Sequence, residues 1–163
     1  IPIHTLPVKN IRKANIARMV ADRLADEVDA IYKITDGKVK ARKENDSTIL
    51  IALPGPVGSP WENGMYSIVV SYGKRELIRI YSSMEINLEY PDVAPTVRFS
   101  PAISHPNIFS SGKVSLKVLE NWKKKFTLLE IVANLYEILK HPQLETDQPS
   151  NLEATYNYLN AKT

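Results

Sequence analysis

The sequence predicts an α+β fold, and three observations carry that prediction. A long apolar pattern at three- and four-residue steps opens the chain, and short β-prone runs separated by turn signals fill its middle. Two apolar stripes introduced by capping signals close it. Helices of this kind pack on one face or end of an antiparallel sheet, where each buries its single apolar stripe.

In order, Ile1 to Pro7 reads as an extended lead-in. From Val8 to about Tyr32, Ala17, Val20, Leu24, Val28 and Ile31 recur at helical steps and describe a long amphipathic helix. Its first half carries Lys9, Arg12, Lys13, Arg18 and Arg23, while Asp22, Asp26, Glu27 and Asp29 gather later. That order opposes the helix dipole, which favours acids early and bases late. Such an order can mark a surface kept for a partner, but on these residues alone a solvated helix face is the preferred reading. Asp36-Gly37 signals a turn, and a polar stretch runs through Asp46. Ser47 to Leu53 is β-prone, and the prolines and glycines of Pro54 to Pro60 stop any strand. Met65 to Tyr72 reads as the next strand, Gly73-Lys74 as a turn, and Leu77 to Tyr81, Met84 to Leu88 and Thr96 to Phe99 as further strands. Short turns between successive strands predict an antiparallel meander. Thr127 and Glu130 have the spacing of a capping box ahead of the stripe Leu128, Ile131, Val132, Leu135, Ile138 and Leu139. Ser150 and Glu153 repeat that spacing before a last helix carrying Leu152, Tyr156 and Leu159.

Length and composition bound the function. At 163 residues, 44% hydrophobic and 24% charged, the chain is expected to form one domain over 1–163 without metal or disulfide support. The absence of cysteine excludes disulfide scaffolds, thiolate zinc sites and thiol catalysis in the chain as it stands. A net charge of +3, with no basic stripe interleaved with aromatics, argues against a nucleic-acid partner. No apolar run approaches the ~20 residues of a membrane span, and no secretory signal is visible. The chain opens on Ile1 rather than methionine, as expected of a trimmed or processed piece. His4, His105 and His141 lack metal-ligand spacing, and neither GxGxxG nor GxxxxGK[ST] occurs, so neither metal nor cofactor is expected.

The stretch His105 to Trp122, HPNIFSSGKVSLKVLENW, organises the chemistry. After a turn tripeptide and a glycine loop, Val114, Leu116 and Val118 alternate with Ser115, Lys117 and Leu119. A half-buried extended segment would anchor the first set and expose Ser115. The surroundings of this serine lack the G-x-S-x-G elbow, and an unassisted hydroxyl is a weak nucleophile. By itself Ser115 reads as a surface serine, and His105 as a structural turn residue.

HPNIFSSGKVSL resembles the active-site signature of the ubiquitin-conjugating enzyme family, whose catalytic cysteine follows the asparagine by eight residues; that position is Ser115. Further resemblances occur in the family's order. GSPWENGMY (Gly58 to Tyr66) is similar to its G-S-P-aromatic-E-x-G-x-aromatic hairpin, and YPDVAPTVRF (Tyr90 to Phe99) to its Y-P-x-x-x-P-x-V-x-F segment. Trp122 with the Thr127 helix, and His141 to Ala154, resemble its tryptophan, proline-rich acidic loop and final helix. The resemblance implies the family's fold: an N-terminal helix, a four-stranded antiparallel meander and C-terminal helices. Because Gly64 to Tyr90 is longer than usual in the family, an extra or extended hairpin is implied as well.

The family accepts ubiquitin or a ubiquitin-like modifier from an activating enzyme as a thioester and passes it to a lysine, directly or with a ligase. By resemblance Asn107 would stabilise the oxyanion or hold the loop, His105 and Pro106 would form the turn, and Asp147 would orient or deprotonate the incoming lysine. The implied partners are the modifier, the activating enzyme at the basic N-terminal helix, and a ligase or an active conjugating-enzyme partner. An intracellular protein of the cytoplasm or nucleus is implied too. Several residues depart from the pattern. Ser115 replaces cysteine and could form at most a stable oxyester, because an alkoxide is a far poorer leaving group than a thiolate. Lys117 stands where many members carry Asp, and on an alternating strand it would share the side of Ser115. Lys123, Lys124 and Lys125 follow Trp122 where ligase-binding members have Ser-Pro-Ala, and Asp92 occupies a site that is commonly an apolar ligase contact. Two readings follow: a conjugating enzyme with serine in place of its cysteine, inactive or oxyester-trapping, or a natural non-catalytic variant that holds ubiquitin or a partner.

Overall fold

A computed structural model of the chain describes residues 8–72, 76–81, 84–88, 90–144 and 150–161, with the backbone alone described in 8–17, 76–81 and 84–88. Helix α1 (Val8–Ile34) leads into strands β1 (Lys40–Asn45), β2 (Thr48–Pro54) and β3 (Met65–Ser71). Strands β4 (Glu76–Tyr81), β5 (Met84–Leu88) and β6 (Thr96–Phe99) follow, then the short α2 (Lys117–Glu120), α3 (Leu128–Lys140) and α4 (Leu152–Ala161). The predicted α+β architecture holds.

Strands β1, β2, β3 and β6 form one antiparallel sheet in that order, with Ile51 opposite Ile68 and Ile68 opposite Phe99. Among the described residues, strands β4 and β5 pair with each other and not with the four-stranded sheet, so the extra length between β3 and β6 holds a separate hairpin. Strand β1 corrects the sequence reading, which left that stretch as polar connection. KARKEN has no apolar alternation because it is an exposed edge strand, and its charges discourage pairing with another chain.

Alternation sets the core. Ile49, Ile51 and Leu53 of β2, Ile68 and Val70 of β3, and Val97 and Phe99 of β6 are buried. The α3 stripe Leu128, Ile131, Val132, Leu135, Ile138 and Leu139 is buried against them, together with Leu24 and Ile31 of α1. Each such side chain contributes roughly 1.5–3 kcal/mol by leaving water. The Thr127 capping box forms as read: Thr127 Oγ1 accepts the Leu129 N–H and Glu130 accepts the Thr127 N–H. The second does not. Asn151, not Ser150, precedes α4, and its Oδ1 accepts the Ala154 N–H at 3.0 Å. Both types cap well, and the helix starts one residue later than the Ser-x-x-Glu spacing suggested.

Candidate functional site

The His-Pro-Asn turn is built into the interior. His105 is fully buried, and its Nδ1 accepts the Asn107 backbone N–H at 2.9 Å. That places the ring proton on Nε2, which donates to the Ile138 carbonyl at 2.7 Å. Ile138 lies in the last turn of α3, where carbonyls lack helical partners, so the imidazole satisfies one of them. Burial lowers the His105 pKa to about 4, although the Ile138 bond favours the charged form. A neutral imidazole with both nitrogens engaged has no spare site for a reacting proton. The structural role expected of it stands.

Asn107 is buried as well. Its Nδ2 donates to the Gln143 carbonyl at 2.9 Å and its Oδ1 accepts the Gln143 N–H at 2.8 Å. The amide thus pairs with a peptide group as a neighbouring strand would, and fixes the chain leaving α3. Between them, the Pro106 carbonyl accepts the Asn151 N–H at 3.2 Å and reaches the start of α4. Trp61, from the loop ahead of β3, closes this floor. Its indole donates to the Ser104 carbonyl at 3.3 Å, and its ring lies 4.6 Å from His105.

Ser115 is exposed between the buried Val114 and Leu116, as the alternation predicts. The backbone arrives there through two isolated bridges, Arg98 to Lys113 and Ile108 to Val114. The alternation expected through Leu119 ends at Leu116. From Lys117 the chain turns helical, because the Leu116 carbonyl accepts the Leu119 and Glu120 N–H groups and Asn134 Oδ1 accepts that of Val118. Lys117 therefore does not share a strand face with Ser115. The group that reaches the serine is Glu120: Ser115 Oγ donates to its Oε1 at 2.9 Å. Sequence reading missed Glu120, and the only signal for it was that a turn of helix would return residue 120 toward residue 115.

Both residues line an open groove of about 920 Å³ bounded by the Asp92–Arg98 segment, Phe109 and Trp122. At its far rim the two departures Asp92 and Lys124 meet in an ion pair at 3.4 Å. Trp122 donates to the Pro91 carbonyl at 2.7 Å and holds the two segments together. Arg23, read as part of a basic partner-facing surface, is corrected: its Nη2 donates to the carbonyls of Lys124 and Phe126 at 3.0 and 2.7 Å. Arg18 is exposed, whereas the side chains of Lys9, Arg12 and Lys13 lie outside the described residues. Asp147 lies outside them too.

Among the described residues no three His, Asp or Glu side chains could together hold a metal ion, and no helix is long and apolar enough to cross a membrane. A family model described as "Ubiquitin-conjugating enzyme" matches residues 79–163, more than half of the chain. The chain belongs to the ubiquitin-conjugating enzyme family. Membership carries the coarse function of that family, ubiquitin conjugation, together with its general partners, ubiquitin and the enzymes before and after it in the transfer. The fold is also that of solved structures. The E2 domain of a Toxoplasma gondii ubiquitin conjugating enzyme is 22% identical, with a TM-score of 0.64, over 87% of this chain and 88% of that one. A candidate ubiquitin conjugating enzyme from Plasmodium yoelii is 24% identical, with a TM-score of 0.66, over 85% and 82%.

Proposed function

We propose that residues 1–163 act as a single conjugating domain that receives the C-terminus of ubiquitin or a ubiquitin-like protein at position 115. The observation that carries this reading is an exposed Ser115 hydroxyl on a segment anchored by buried Val114 and Leu116, in the wall of an open groove. A family member with cysteine there holds the modifier as a thioester and passes it to a lysine. Serine gives an oxyester, which traps the modifier because the alkoxide leaves poorly. In this reading the activating enzyme approaches the basic first half of α1, and Asp147 orients an incoming lysine. The ligase or partner meets the Asp92–Lys124 rim, which is charged where an apolar contact is usual. The test is incubation with activating enzyme, ATP and a panel of ubiquitin-like proteins. The expected product is a thiol-resistant, hydroxide-labile adduct on Ser115, and a thiol-labile one on S115C. Failure of S115C to charge with any modifier removes the reading.

A second reading has its own support. Oδ1 and one of the two Nδ2 hydrogens of the Asn107 amide are engaged by Gln143, so this side chain holds the loop whether or not position 115 reacts. On this reading the protein is a non-catalytic variant that holds ubiquitin or an active conjugating enzyme. The expected result is then binding without an adduct, on the wild type and on S115C alike.

A further inference from the structure

The Ser115 hydroxyl meets a carboxylate whose position is set from two directions. Leu116 is extended, with φ −121° and ψ 135°, and its carbonyl then collects the Leu119 and Glu120 N–H groups at 3.1 and 3.2 Å. This folds Glu120 back toward the serine five residues earlier. Asn134, from α3, accepts the Val118 N–H at 3.1 Å and ties that turn to the core helix. The bond is not a helix cap, since Leu116 occupies the capping position of α2 and Ser115 precedes it.

Two carboxylates line the groove among the described residues, Asp92 and Glu120. Asp92 is neutralised by Lys124 at 3.4 Å. Glu120 has no cation within ion-pair distance among the described residues, and its carboxylate accepts the serine hydroxyl at 2.9 Å. Arg98 and Lys113 line the same groove without pairing with Glu120, and a hydroxyl that donates to a carboxylate has a proton acceptor already in place, which is what the isolated serine lacked.

We propose that Glu120 is the base that makes Ser115 a nucleophile toward an acyl thioester. The proposal deepens the reading of position 115 as an acyl acceptor and rests on it. Ser115 Oγ attacks the thioester carbonyl carbon, and its proton passes to the Glu120 carboxylate as the Oγ–C bond forms. Collapse of the tetrahedral intermediate breaks the C–S bond, and the departing thiolate takes the proton from Glu120. The acyl group ends as an oxyester on Ser115, the thiol is released, and no electron changes hands. Positioned bases of this kind contribute about 10²–10⁴-fold in rate.

The test uses the full chain and an N-acetylglycine thioester of 2-mercaptoethanesulfonate, with acylation of Ser115 followed by peptide mapping. The E120Q amide keeps an oxygen to accept the serine hydroxyl but has lost its basicity, so a purely positional role would leave its rate unchanged. The wild type is expected to form a thiol-resistant, hydroxide-labile adduct at Ser115, and S115A none. E120Q should react about 10²-fold more slowly with an unaltered melting temperature, and added formate should restore part of the rate in E120A. Equal rates for E120Q and wild type, or a wild type that acquires no adduct at Ser115, overturn the proposal. Acylation by the small thioester without charging by any activating enzyme would remove the modifier-carrying reading while leaving Glu120 its role. Enzymatic charging that E120Q does not slow would do the reverse.

Discussion

The Tyr90 hydroxyl lies against both oxygens of the Glu27 carboxylate, at 2.6 and 2.8 Å, although the two residues are 63 positions apart. Glu27 Oε1 also accepts the Leu128 N–H at 3.0 Å, one of the donors left over at the start of α3, and Arg23 lies 3.5 Å from Oε2. One buried carboxylate thus joins α1, the segment before β6 and α3, while Arg23 extends the junction to the loop after Trp122. This network lies beneath the rim of the groove and adds to the Trp122–Pro91 bond and the Asp92–Lys124 pair at its surface.

Removing the carboxylate strands three partners at once. E27A is expected to lose about 2–4 kcal/mol of stability, because it leaves the Tyr90 hydroxyl and the Leu128 N–H as buried donors with no acceptor. Y90F should lose about 1–2 kcal/mol, since it removes one hydrogen bond to a charged group and leaves the others. Urea unfolding followed by tryptophan fluorescence checks both, and equal losses would mean that the network does not act through the carboxylate.

His105 predicts how stability depends on pH. Its folded pKa, lowered to about 4 by burial, lies below the unfolded value of 6.5, so the unfolded chain binds the proton more readily. Its contribution is complete above pH ~6.5 and is lost as pH falls through about 4, amounting to roughly 3 kcal/mol. Glu27 acts in the opposite sense. Burial raises its pKa despite the bonds from Tyr90 and Leu128 and the nearby Arg23, so its contribution is complete below the unfolded value of 4.5 and is lost as pH rises through the folded one. In H105Q the acid-side loss between pH 6.5 and 4 should flatten, and in E27Q the loss on raising pH from 4.5 should disappear. Unfolding curves at a series of pH values measure both slopes.

Sequence periodicity reports what is repeated, which is why α1, β2, β3, β6 and α3 were legible. Each places several apolar residues on one face. Strand β1 was not legible because only Ala41 among its six residues is apolar, an edge strand having little to bury. The inserted hairpin was expected from chain length, but its separation from the main sheet depends on pairing, which no local pattern encodes. At the candidate site, Ser115 and the buried turn could be read because alternation and the His-Pro-Asn spacing are local. The partners of those residues could not. Gln143 meets Asn107 across 36 positions through its backbone, which has no sequence signature, and Glu120 meets Ser115 only because the strand becomes a helix between them.

The loop that delivers Ser115 turns on Gly112, which has φ +89° and whose carbonyl accepts the Phe99 N–H at 2.8 Å. A Cβ there would collide with the Phe99 carbonyl oxygen, so both the backbone conformation and the space exclude a side chain. G112A is expected to cost about 2–4 kcal/mol, because the loop must move away from β6. The check is denaturant unfolding beside amide exchange of Phe99, which should lose protection more than Ile68 does.

Asn107 separates a clasp from an oxyanion donor by experiment. N107D keeps an oxygen for the Gln143 N–H but sets a carboxylate against the Gln143 carbonyl, whereas N107A removes both bonds. A clasp predicts that both variants lose stability, by about 1–3 kcal/mol, with N107D at least as affected as N107A. It also predicts faster exchange of the Gln143 amide in N107A while the interior of α3 stays protected. A residue serving the oxyanion alone would leave stability and exchange unchanged and alter only the rate of acyl transfer to position 115, by roughly 10²–10³-fold. Exchange at Gln143 decides between them: its N–H depends on the Asn107 side chain for its bond, and no change there in N107A would show that the paired amide does not hold the loop.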